Sequence, residues 1–437
     1  MTSQPSHCVA VIGGAVAGAE VAGSLADRGV EVAVFEQNPR PYGKIEDGLP
    51  RWHTALREKE YQAIGAQLSK PGVHFVPNTK ISRDLGFAEL VNDWGFSGVV
   101  LACGAWRDRP LPVEGADAYV GKGLIYQNPF IIWFNHADEP DYDGPVFEPR
   151  DGALVVGGGL ASIDVVKALM LETARAKLRE RGIEVDLVEM EVKGIPKTCE
   201  RHGLRYEELG IEGCTLFYRR SEADMPLMEM PEDADERRAE KVREGRKKML
   251  AKAMEKYRFH FEPLCMPEGL IVENGQLVGL RFRRTKIENG RVLPQDETFE
   301  RRGVYVISSI GSIPEAIEGI PMKGELFAFQ DWHLGRLDGY PTVFSAGNVV
   351  TGKGNIVASR KHAREISETV AEAFLGLSDQ ARKQAREDAE KIAKAIERQP
   401  AIDAGTLEAL RARIAARQQQ VGYSDYASWI ASAKPAG

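Results

Sequence analysis

The residues with the clearest chemical meaning form a glycine-rich turn near the start of the chain. Residues 13–18 read GGAVAG and lie between an apolar run, Val9 to Ile12, and a helical stretch. Such a turn offers backbone N–H groups and a positive helix end to a pyrophosphate. The next predicted strand, Glu31 to Phe35, leads to Glu36, whose carboxylate can accept hydrogen bonds from ribose hydroxyls. The spacing predicts a dinucleotide site, and a turn that serves only helix packing is the alternative.

A second turn of this kind occupies residues 157–162, which read GGGLAS. Two predicted strands could each be the one that follows this turn and its helix in the sheet. One spans 185–188 and ends before Glu189, which suits the ribose of NAD; the other, Cys214 to Tyr218, ends before Arg219-Arg220. Two guanidinium groups can pair with the 2′-phosphate of NADP, whereas a carboxylate repels it. We favour the arginine pair, and an exposed basic turn is the alternative reading.

Two dinucleotide sites in one chain are typical of hydride transfer between a nicotinamide and a flavin, which predicts NADP and FAD as cofactors. Such a protein brings nicotinamide C4 to about 3–3.5 Å from flavin N5 and needs neither a nucleophile nor a metal. No two cysteines form a Cys-x-x-Cys pair, so electrons must pass from the flavin to an external acceptor. The five cysteines are scattered and predict no metal site: Cys8, Cys103, Cys199, Cys214 and Cys265.

Composition excludes several other classes of function. The chain has 437 residues, 43% apolar and 28% charged, and its formal charge of −7 gives no reason to expect a nucleic-acid partner. Nowhere do eighteen apolar residues run together, so no membrane span is predicted. The first residues lack the features of an export signal, and the unpaired thiols favour a cytoplasmic location.

The two turns must be positioned by alternating strands and helices, which predicts an α/β fold with parallel sheet. Residues 98–104, GVVLACG, predict a buried strand, and 110–149 predict linker and loops. Short strands with Asn-Gly turns from 272 to 306 predict hairpins. Residues 232–257 predict a charged, solvated helix. Beyond residue 375 the polar, periodic sequence predicts three helices, at 378–398, 405–418 and 424–433.

The chain resembles the adrenodoxin-reductase-like ferredoxin–NADP reductases and, less closely, the small subunit of glutamate synthase. The likeness runs from about Val9 to Ile366. It rests on the following segments: Glu36 to Pro50 (EQNPRPYGKIEDGLP), Val73 to Ile81 (VHFVPNTKI), Leu101 to Gly115, Asn128 to Asn135 (NPFIIWFN), Tyr218 to Pro226 (YRRSEADMP) and Val343 to Ala363. The resemblance also favours the strand that ends before Arg219-Arg220, because the long insertions of the family come before that strand.

The resemblance implies two Rossmann-like domains of the glutathione-reductase and adrenodoxin-reductase type, with the NADP domain inserted in a discontinuous FAD domain. We expect the FAD domain at 1–110 and 336–375, the NADP domain at 111–335, and an α-helical C-terminal tail at 376–437.

The turns and the resemblance together predict cofactor-binding residues in each domain. For FAD they are Gly13, Gly14, Ala15, Ala17, Gly18, Glu36, Gln37, Tyr42, Gly43, Leu49, Ile81, Ala102, Cys103, Gly104, Gly347, Asn348, Gly354, Asn355 and Ile356; for NADP they are Gly157, Gly159, Leu160, Ala161, Ser162, Arg219 and Arg220.

Within this set, the resemblance implies that Gly347 and the helix near Asn355 turn backbone N–H groups toward the flavin. Asn348 departs from the family, since the adrenodoxin reductases have a tryptophan there. Two further residues resemble family residues near the nicotinamide. His53, offset by one position, is a candidate proton shuttle, and Glu229 is a second candidate catalytic residue. A packing or surface role is the alternative for both.

The predicted function is hydride transfer between NADP(H) and FAD, with single electrons passed to or from a ferredoxin-like carrier. An alternative is the electron-input subunit of a larger complex, for which the tail and the 193–210 insertion are candidate contacts. A monooxygenase or oxidase that uses only the first site is disfavoured by the second turn. A homo-oligomer and a complex subunit both stay open.

Overall fold

We describe the protein from a computed structural model, over residues 6–231, 233–352, 354–377 and 396–434. The chain divides into two compact units. Unit 1 comprises Met1–Leu49, Thr54–Arg107 and Ser312–Ala436, and unit 2 comprises Pro50–His53 and Asp108–Gly311.

The strands, numbered in chain order, are β1 Cys8–Ile12, β2 Glu31–Phe35, β3 Val73–Val76, β4 Gly98–Leu101, β5 Arg107–Asp108, β6 Leu124–Tyr126, β7 Leu154–Gly157, β8 Thr215–Phe217, β9 His260–Glu262, β10 Cys265–Glu273, β11 Gln276–Glu288, β12 Arg291–Arg302, β13 Val306–Ser309, β14 Ser312–Ile313, β15 Met322–Lys323, β16 Leu326–Phe327, β17 Phe329–Asp331, β18 Arg336–Leu337 and β19 Val343–Ser345.

The α-helices are α1 Val16–Ala26, α2 Thr54–Leu68, α3 Phe87–Asn92, α4 Gln127–His136, α5 Leu160–Arg179, α6 Leu187–Lys193, α7 Ile195–Arg201, α8 Glu236–Tyr257, α9 Asn348–Thr351, α10 Ile356–Thr369, α11 Ala404–Gln420 and α12 Tyr426–Ser432.

Unit 1 is built on a parallel sheet in the order β19-β4-β1-β2-β3. The strands β1 and β4 are buried along their whole length, which explains why each reads as a continuous apolar run. Helix α1 packs against α2 and α10. Because all five strands are parallel, the segments that follow them meet at one edge of the sheet.

Unit 2 contains a second parallel sheet, in the order β6-β13-β7-β8-β9, and an antiparallel sheet, β10-β11-β12. The predicted hairpins are confirmed. Asn274 and Gly275 have φ of 51° and 76°, and Asn289 and Gly290 have 50° and 73°, as a type I′ turn requires.

Two local predictions in unit 2 are wrong. The stretch 110–149 is not only linker and loops, because β6 and α4 lie within it; Phe130 and Phe134 of α4, four residues apart, are buried. The proposed strand at 185–188 does not form. Asp186 instead accepts the Glu189 N–H at 2.7 Å and caps α6.

The predicted end of the inserted domain, residue 335, also differs from the structure, where unit 2 ends at Gly311. Ile320, Phe327 and Leu334 are buried in the core of unit 1, which draws the intervening segment to that unit.

The C-terminal tail packs on unit 1 rather than standing apart. The predicted helices at 405–418 and 424–433 are confirmed as α11 and α12, whereas the one at 378–398 lies largely outside the described residues. Leu407, Leu410 and Ile414 of α11 are buried in the same core cluster as Phe35.

Candidate functional site

The first glycine turn joins β1 to α1 so closely that side chains are excluded. Gly13 has φ +98°, and a Cβ there would lie 2.7 Å from the carbonyl oxygen of Ala102. A Cβ on Gly18 would lie 1.8 Å from the carbonyl oxygen of Gly13. Gly13 therefore allows the tight turn and Gly18 the close helix, as the spacing predicts.

The carboxylate of Glu36 faces this turn from the end of β2. It accepts the Gly14 N–H at 2.7 Å and the Asn38 N–H at 3.0 Å. Burial raises the pKa of Glu36 to about 7, against the lowering effect of these two N–H groups. A buried carboxyl whose remaining lone pairs can accept hydroxyl donors suits a ribose.

Tyr42 and Gly43 bring the segment after β2 onto the same turn. Gly43 has φ +48°, and a Cβ there would lie 3.0 Å from the Cβ of Ala15, the N-cap of α1. Tyr42 is buried and stacks on Tyr61, with ring centroids 4.0 Å apart. Among the other predicted residues of this segment, Gln37 and Leu49 are both half-buried.

The ends of β3 and β4 supply the next predicted residues. Ala102 donates its N–H to the Ile12 carbonyl at 2.8 Å, which joins β4 to β1, and Gly104 has φ +70°. Burial raises the pKa of Cys103 to about 12, which favours the neutral thiol at neutral pH. Ile81 is buried five residues beyond β3, in the predicted adenine segment.

The segment after β19 departs from the prediction in one respect. The Gly347 N–H does not stand free for a flavin, because it donates to Nδ1 of His362 at 3.0 Å. Gly347 has φ +78°, and a Cβ there would lie 2.6 Å from the Cβ of Ala17. The glycine is thus required for the close approach of this turn to α1, which leaves no room for a side chain.

Asn348 has a buried amide oxygen with no hydrogen-bond partner. An orphaned acceptor of this kind is costly unless a ligand supplies a donor, and the hydroxyls of a ribityl chain would do so. Gly354 lies beside it, since a Cβ on Gly354 would be 3.9 Å from Nδ2 of Asn348. The side chain of Asn355 accepts the Ala358 N–H at 2.6 Å, so α10 begins at Ile356 with its positive end in this region. The donors and acceptors of unit 1 therefore fit FAD.

In the second glycine turn, in unit 2, Gly157 and Gly158 pack closely against the rest of the unit, whereas the side of the turn at Gly159 is open. A Cβ on Gly157 would meet the carbonyl oxygen of Ser309 at 2.2 Å, and one on Gly158 would meet the Tyr218 ring at 2.1 Å. Gly159, by contrast, has open space around it. Leu160, 51% exposed, and Ala161, also exposed, follow it. The open side presents the N-terminus of α5, whose N–H groups fit a pyrophosphate.

Ser162 replaces the third glycine of this motif and has its own structural use. It is fully buried, and its hydroxyl donates to the Ser309 carbonyl at 2.9 Å. That bond attaches α5 to the end of β13.

The strand that pairs with β7 after α5 is β8, so Arg219-Arg220, and not Glu189, follow a strand of this sheet. Arg219 is exposed and has no ion-pair partner among the described residues. Arg220 is half-buried and donates to the Gly290 carbonyl at 2.8 Å. Two cations at the end of this strand fit the 2′-phosphate of NADP. Glu189, the competitor, lies in α6 and pairs with Arg201.

The two candidate catalytic residues lie in unit 2 without a recorded contact to each other. His53 is half-buried beside Trp52, with ring centroids 5.9 Å apart, and Glu229 is exposed. Their roles stay predictions.

A group that sequence reasoning missed surrounds the same Trp52. Lys167 of α5 lies 4.5 Å from the Trp52 ring centroid, 2.9 Å from the Glu191 carboxylate and 3.8 Å from Asp164. Burial raises the pKa of Asp164 to about 6. The only signal in the sequence was the position of Asp164, two residues after the glycine turn.

A protein-family model matches part of this chain. Residues 8–208, which include both glycine turns, match the model of the family described as pyridine nucleotide-disulphide oxidoreductase. No helix among the residues described here has the length and apolar character needed to cross a membrane.

Relatives and solved structures agree with this assignment. The NADPH:adrenodoxin oxidoreductase of Arabidopsis thaliana is 23% identical over 423 residues, which cover 85% of this chain and 83% of the relative. The glutamate synthase [NADPH] small chain of Mycobacterium tuberculosis is 30% identical over 162 residues, 36% of this chain and 32% of the relative. The chain thus spans about a third of the length of several curated relatives it matches. The oxidoreductase FprA of Mycobacterium tuberculosis shares the fold, with a TM-score of 0.68 and 20% identity over 95% of this chain and 91% of that one.

These findings confirm the predicted family resemblance and the two-domain dinucleotide-binding fold. The printed names agree with the predicted oxidoreductase class and with NADP as a cofactor, since the matched family is described by pyridine nucleotide and the Arabidopsis thaliana relative by NADPH.

Proposed function

We propose that this protein transfers hydride between NADP(H) and FAD and exchanges single electrons with a ferredoxin-like carrier. The observation that carries the proposal is the contrast at the strand ends: a buried carboxylate, Glu36, follows the first turn, and an arginine pair, Arg219-Arg220, follows the second. One site thus suits an unphosphorylated ribose and the other a 2′-phosphate.

The chain's own residues bind and orient, since a bound flavin supplies the chemistry that converts a hydride into single electrons. The N-terminus of α1 and the Glu36 carboxylate would hold the adenosine diphosphate part of FAD, and the Asn348 amide oxygen would accept a hydroxyl of its ribityl chain. In unit 2, the N-terminus of α5 would bind the pyrophosphate of NADP and Arg219-Arg220 would select its phosphorylated ribose. His53 and Glu229 are candidates for moving a proton near the nicotinamide.

The relatives support a protein carrier as the acceptor, because one of them is named for adrenodoxin. In the described residues the five cysteines are free and four are buried, so no dithiol takes the electrons. We place the protein in the cytoplasm for the same reason, as an enzyme with reduced thiols.

Anaerobic titration of the yellow protein with NADPH and NADH tests the proposal. We expect NADPH to bleach the flavin, and the Arg219→Ala, Arg220→Ala double variant to bind NADPH at least about 100-fold more weakly. Each lost charged hydrogen bond costs about 1.5–3 kcal/mol, and every 1.4 kcal/mol is about tenfold. Binding of NADH, which lacks the phosphate, should change less than about threefold.

The double variant Arg237→Ala, Arg238→Ala is the matched control, because it removes two exposed arginines of unit 2 from helix α8. It should leave NADPH binding unchanged. Equal loss in both double variants, or no loss in the first, would contradict the assignment of the phosphate site.

A second candidate function is the electron-input subunit of a larger complex. It is favoured by the 162-residue match to a glutamate synthase small chain. Mixing the NADPH-reduced protein with ferredoxin, a quinone and oxygen separates the candidates. Rapid reoxidation by ferredoxin supports the carrier function, whereas no reoxidation by any of the three supports the subunit.

A further inference from the structure

We propose that the C-terminal clamp, defined as residues 404–434 with helices α11 and α12, positions the two loops that hold the adenosine of FAD and so sets the affinity of unit 1 for FAD. The inference rests on the FAD site of the proposed function and goes beyond it, because it gives the tail a role in retaining the cofactor.

The two loops at issue follow β2 and β3 and are bound to each other. Glu36 donates its N–H to the Val76 carbonyl at 3.0 Å, and Thr79 donates its N–H to the Glu36 carbonyl at 2.8 Å. Asn78 donates to the Asn38 carbonyl at 3.3 Å. The position of the Glu36 carboxylate therefore depends on the loop after β3.

That second loop contains a strained backbone. Asn78 has φ +51° and Ser82 has φ +78°, both in the left-handed region that side chains disfavour. Conformations of this kind persist only where the surroundings hold them in place. The loop therefore needs support from outside itself.

Helix α11 gives this support through Arg417 and Gln418. The Arg417 guanidinium donates to the Thr79 hydroxyl at 2.9 Å and to the Asn78 carbonyl at 3.2 Å, and it lies 3.7 Å from the Asp84 carboxylate. Gln418 donates to the carbonyl of Phe75, in β3, at 2.8 Å. The arginine is largely buried, with 17% of its side chain exposed.

Helix α12 binds the other loop. The indole N–H of Trp429 donates to the Pro39 carbonyl at 2.6 Å, three residues beyond Glu36. The ring of Phe75 lies against both Tyr423 and Tyr426, at centroid distances of 5.8 and 5.5 Å. The clamp thus attaches to both loops and to the strand that leads into one of them.

Simple protection of the β3 edge would need only the Gln418 contact and the aromatic packing. The bonds from Arg417 and Trp429 go instead to carbonyl and hydroxyl groups beyond the strands, in the loops themselves. No contact from either side chain to Glu36 is recorded, so both are positioning residues. We therefore expect their loss to loosen FAD more than it loosens the fold.

The chain offers a matched control on the same helix. Arg413, one turn before Arg417, donates to the Asp93 carbonyl and lies 5.9 Å from the Trp94 ring centroid, after α3. The Arg413→Ala variant also loses one arginine–carbonyl hydrogen bond between the clamp and the rest of unit 1. Both adenosine loops keep their contacts with the clamp in this variant.

The experiment titrates apoprotein with FAD and follows flavin fluorescence, with urea unfolding of each apoprotein in parallel. We expect Arg417→Ala and Trp429→Phe each to raise the Kd for FAD about tenfold, Arg417→Lys to raise it less, and Arg413→Ala to change it less than twofold. Trp429→Phe keeps an aromatic side chain and removes the indole donor, and the parallel urea unfolding measures the packing that the smaller ring loses.

Three outcomes are distinguishable. If unmodified apoprotein binds no FAD, the proposed function itself fails and the inference with it. If unmodified apoprotein binds FAD and Arg413→Ala weakens binding as much as Arg417→Ala does, the tail acts only on stability and the inference is wrong. The inference is equally wrong if neither Arg417→Ala nor Trp429→Phe changes the Kd.

Discussion

The two glycine turns of this chain have similar sequences but different surroundings. In unit 1 the turn is closed: the Gly14 N–H already meets the Glu36 carboxylate, and Gly43 lies against Ala15, the residue that corresponds to Gly159. In unit 2 the corresponding turn is open at Gly159, and the arginine expected to select the ligand, Arg219, is exposed.

The difference indicates how each site uses its ligand. A turn that is buried, hydrogen-bonded and enclosed by later segments has its geometry fixed before FAD arrives, so little ordering is lost on binding. An open turn with exposed cations lets a charged ligand enter and leave. The first arrangement suits a resident cofactor and the second an exchanged one, and the following predictions test this contrast.

The largest effect should come from a methyl group added at each turn. Gly18→Ala forces a Cβ toward the Gly13 carbonyl oxygen, and we expect it to lower the free energy of unfolding by about 3 kcal/mol and to abolish flavin binding. Gly159→Ala meets open space and should cost less than about 1 kcal/mol. Urea unfolding and the flavin content of purified protein measure both. Similar losses in the two variants would contradict the contrast.

The next effect concerns the pH dependence of FAD binding at Glu36. Its pKa of about 7 in the folded apoprotein lies above the usual value near 4.5, so the folded state holds a proton that the unfolded chain has released. The contribution of Glu36 to the free energy of unfolding is therefore greatest at low pH and is lost as the pH rises through about 7. Ribose hydroxyls donate to the ionised form, so FAD binding should strengthen with pH by up to about tenfold per unit below pH 7.

The comparison variant is Glu36→Gln, which cannot ionise. Its Kd for FAD should be nearly independent of pH between 5 and 7, and its affinity at pH 8 should fall below that of the unmodified protein. Fluorescence titrations of apoprotein at each pH measure this. An identical slope in both proteins would assign the pH dependence to another group.

The smallest effect should distinguish the two arginines of unit 2. Arg219→Ala should weaken NADPH binding about thirtyfold, the loss of one charged hydrogen bond of about 2 kcal/mol. Arg220→Ala should weaken it less, about threefold, since part of that guanidinium is committed to the Gly290 carbonyl. Titration of each single variant decides the order. A larger effect at Arg220 would show that this bond orients the side chain for the phosphate.

Local patterns were sufficient to predict both strand–turn–helix units, the Asn-Gly hairpins and two tail helices, because each depends on residues close in the sequence. The prediction of a strand at 185–188 was wrong because a strand pattern takes no account of helical spacing or of a capping residue. Leu187 and Met190, three residues apart, are both buried, and Asp186 caps the helix that contains them.

What could not be predicted depends on distant partners. Nothing near Gly347 in the sequence indicates that His362 takes its N–H, and nothing near Trp429 indicates that Pro39 accepts its indole hydrogen. The pKa of Glu36 is likewise set by burial that only the assembled unit creates. The site residues were found by motif, whereas their electrostatics and support came from packing.

Strand β3 is the outermost strand of its sheet, and the residues that cover it belong to α11 and α12. The ribosome adds most of the chain, including Asp108–Gly311 of unit 2, between β3 and these helices. An uncovered strand edge can pair with another chain. The edge of β3 therefore stays without this cover until synthesis reaches α11, and during that interval it can pair with a strand of another chain.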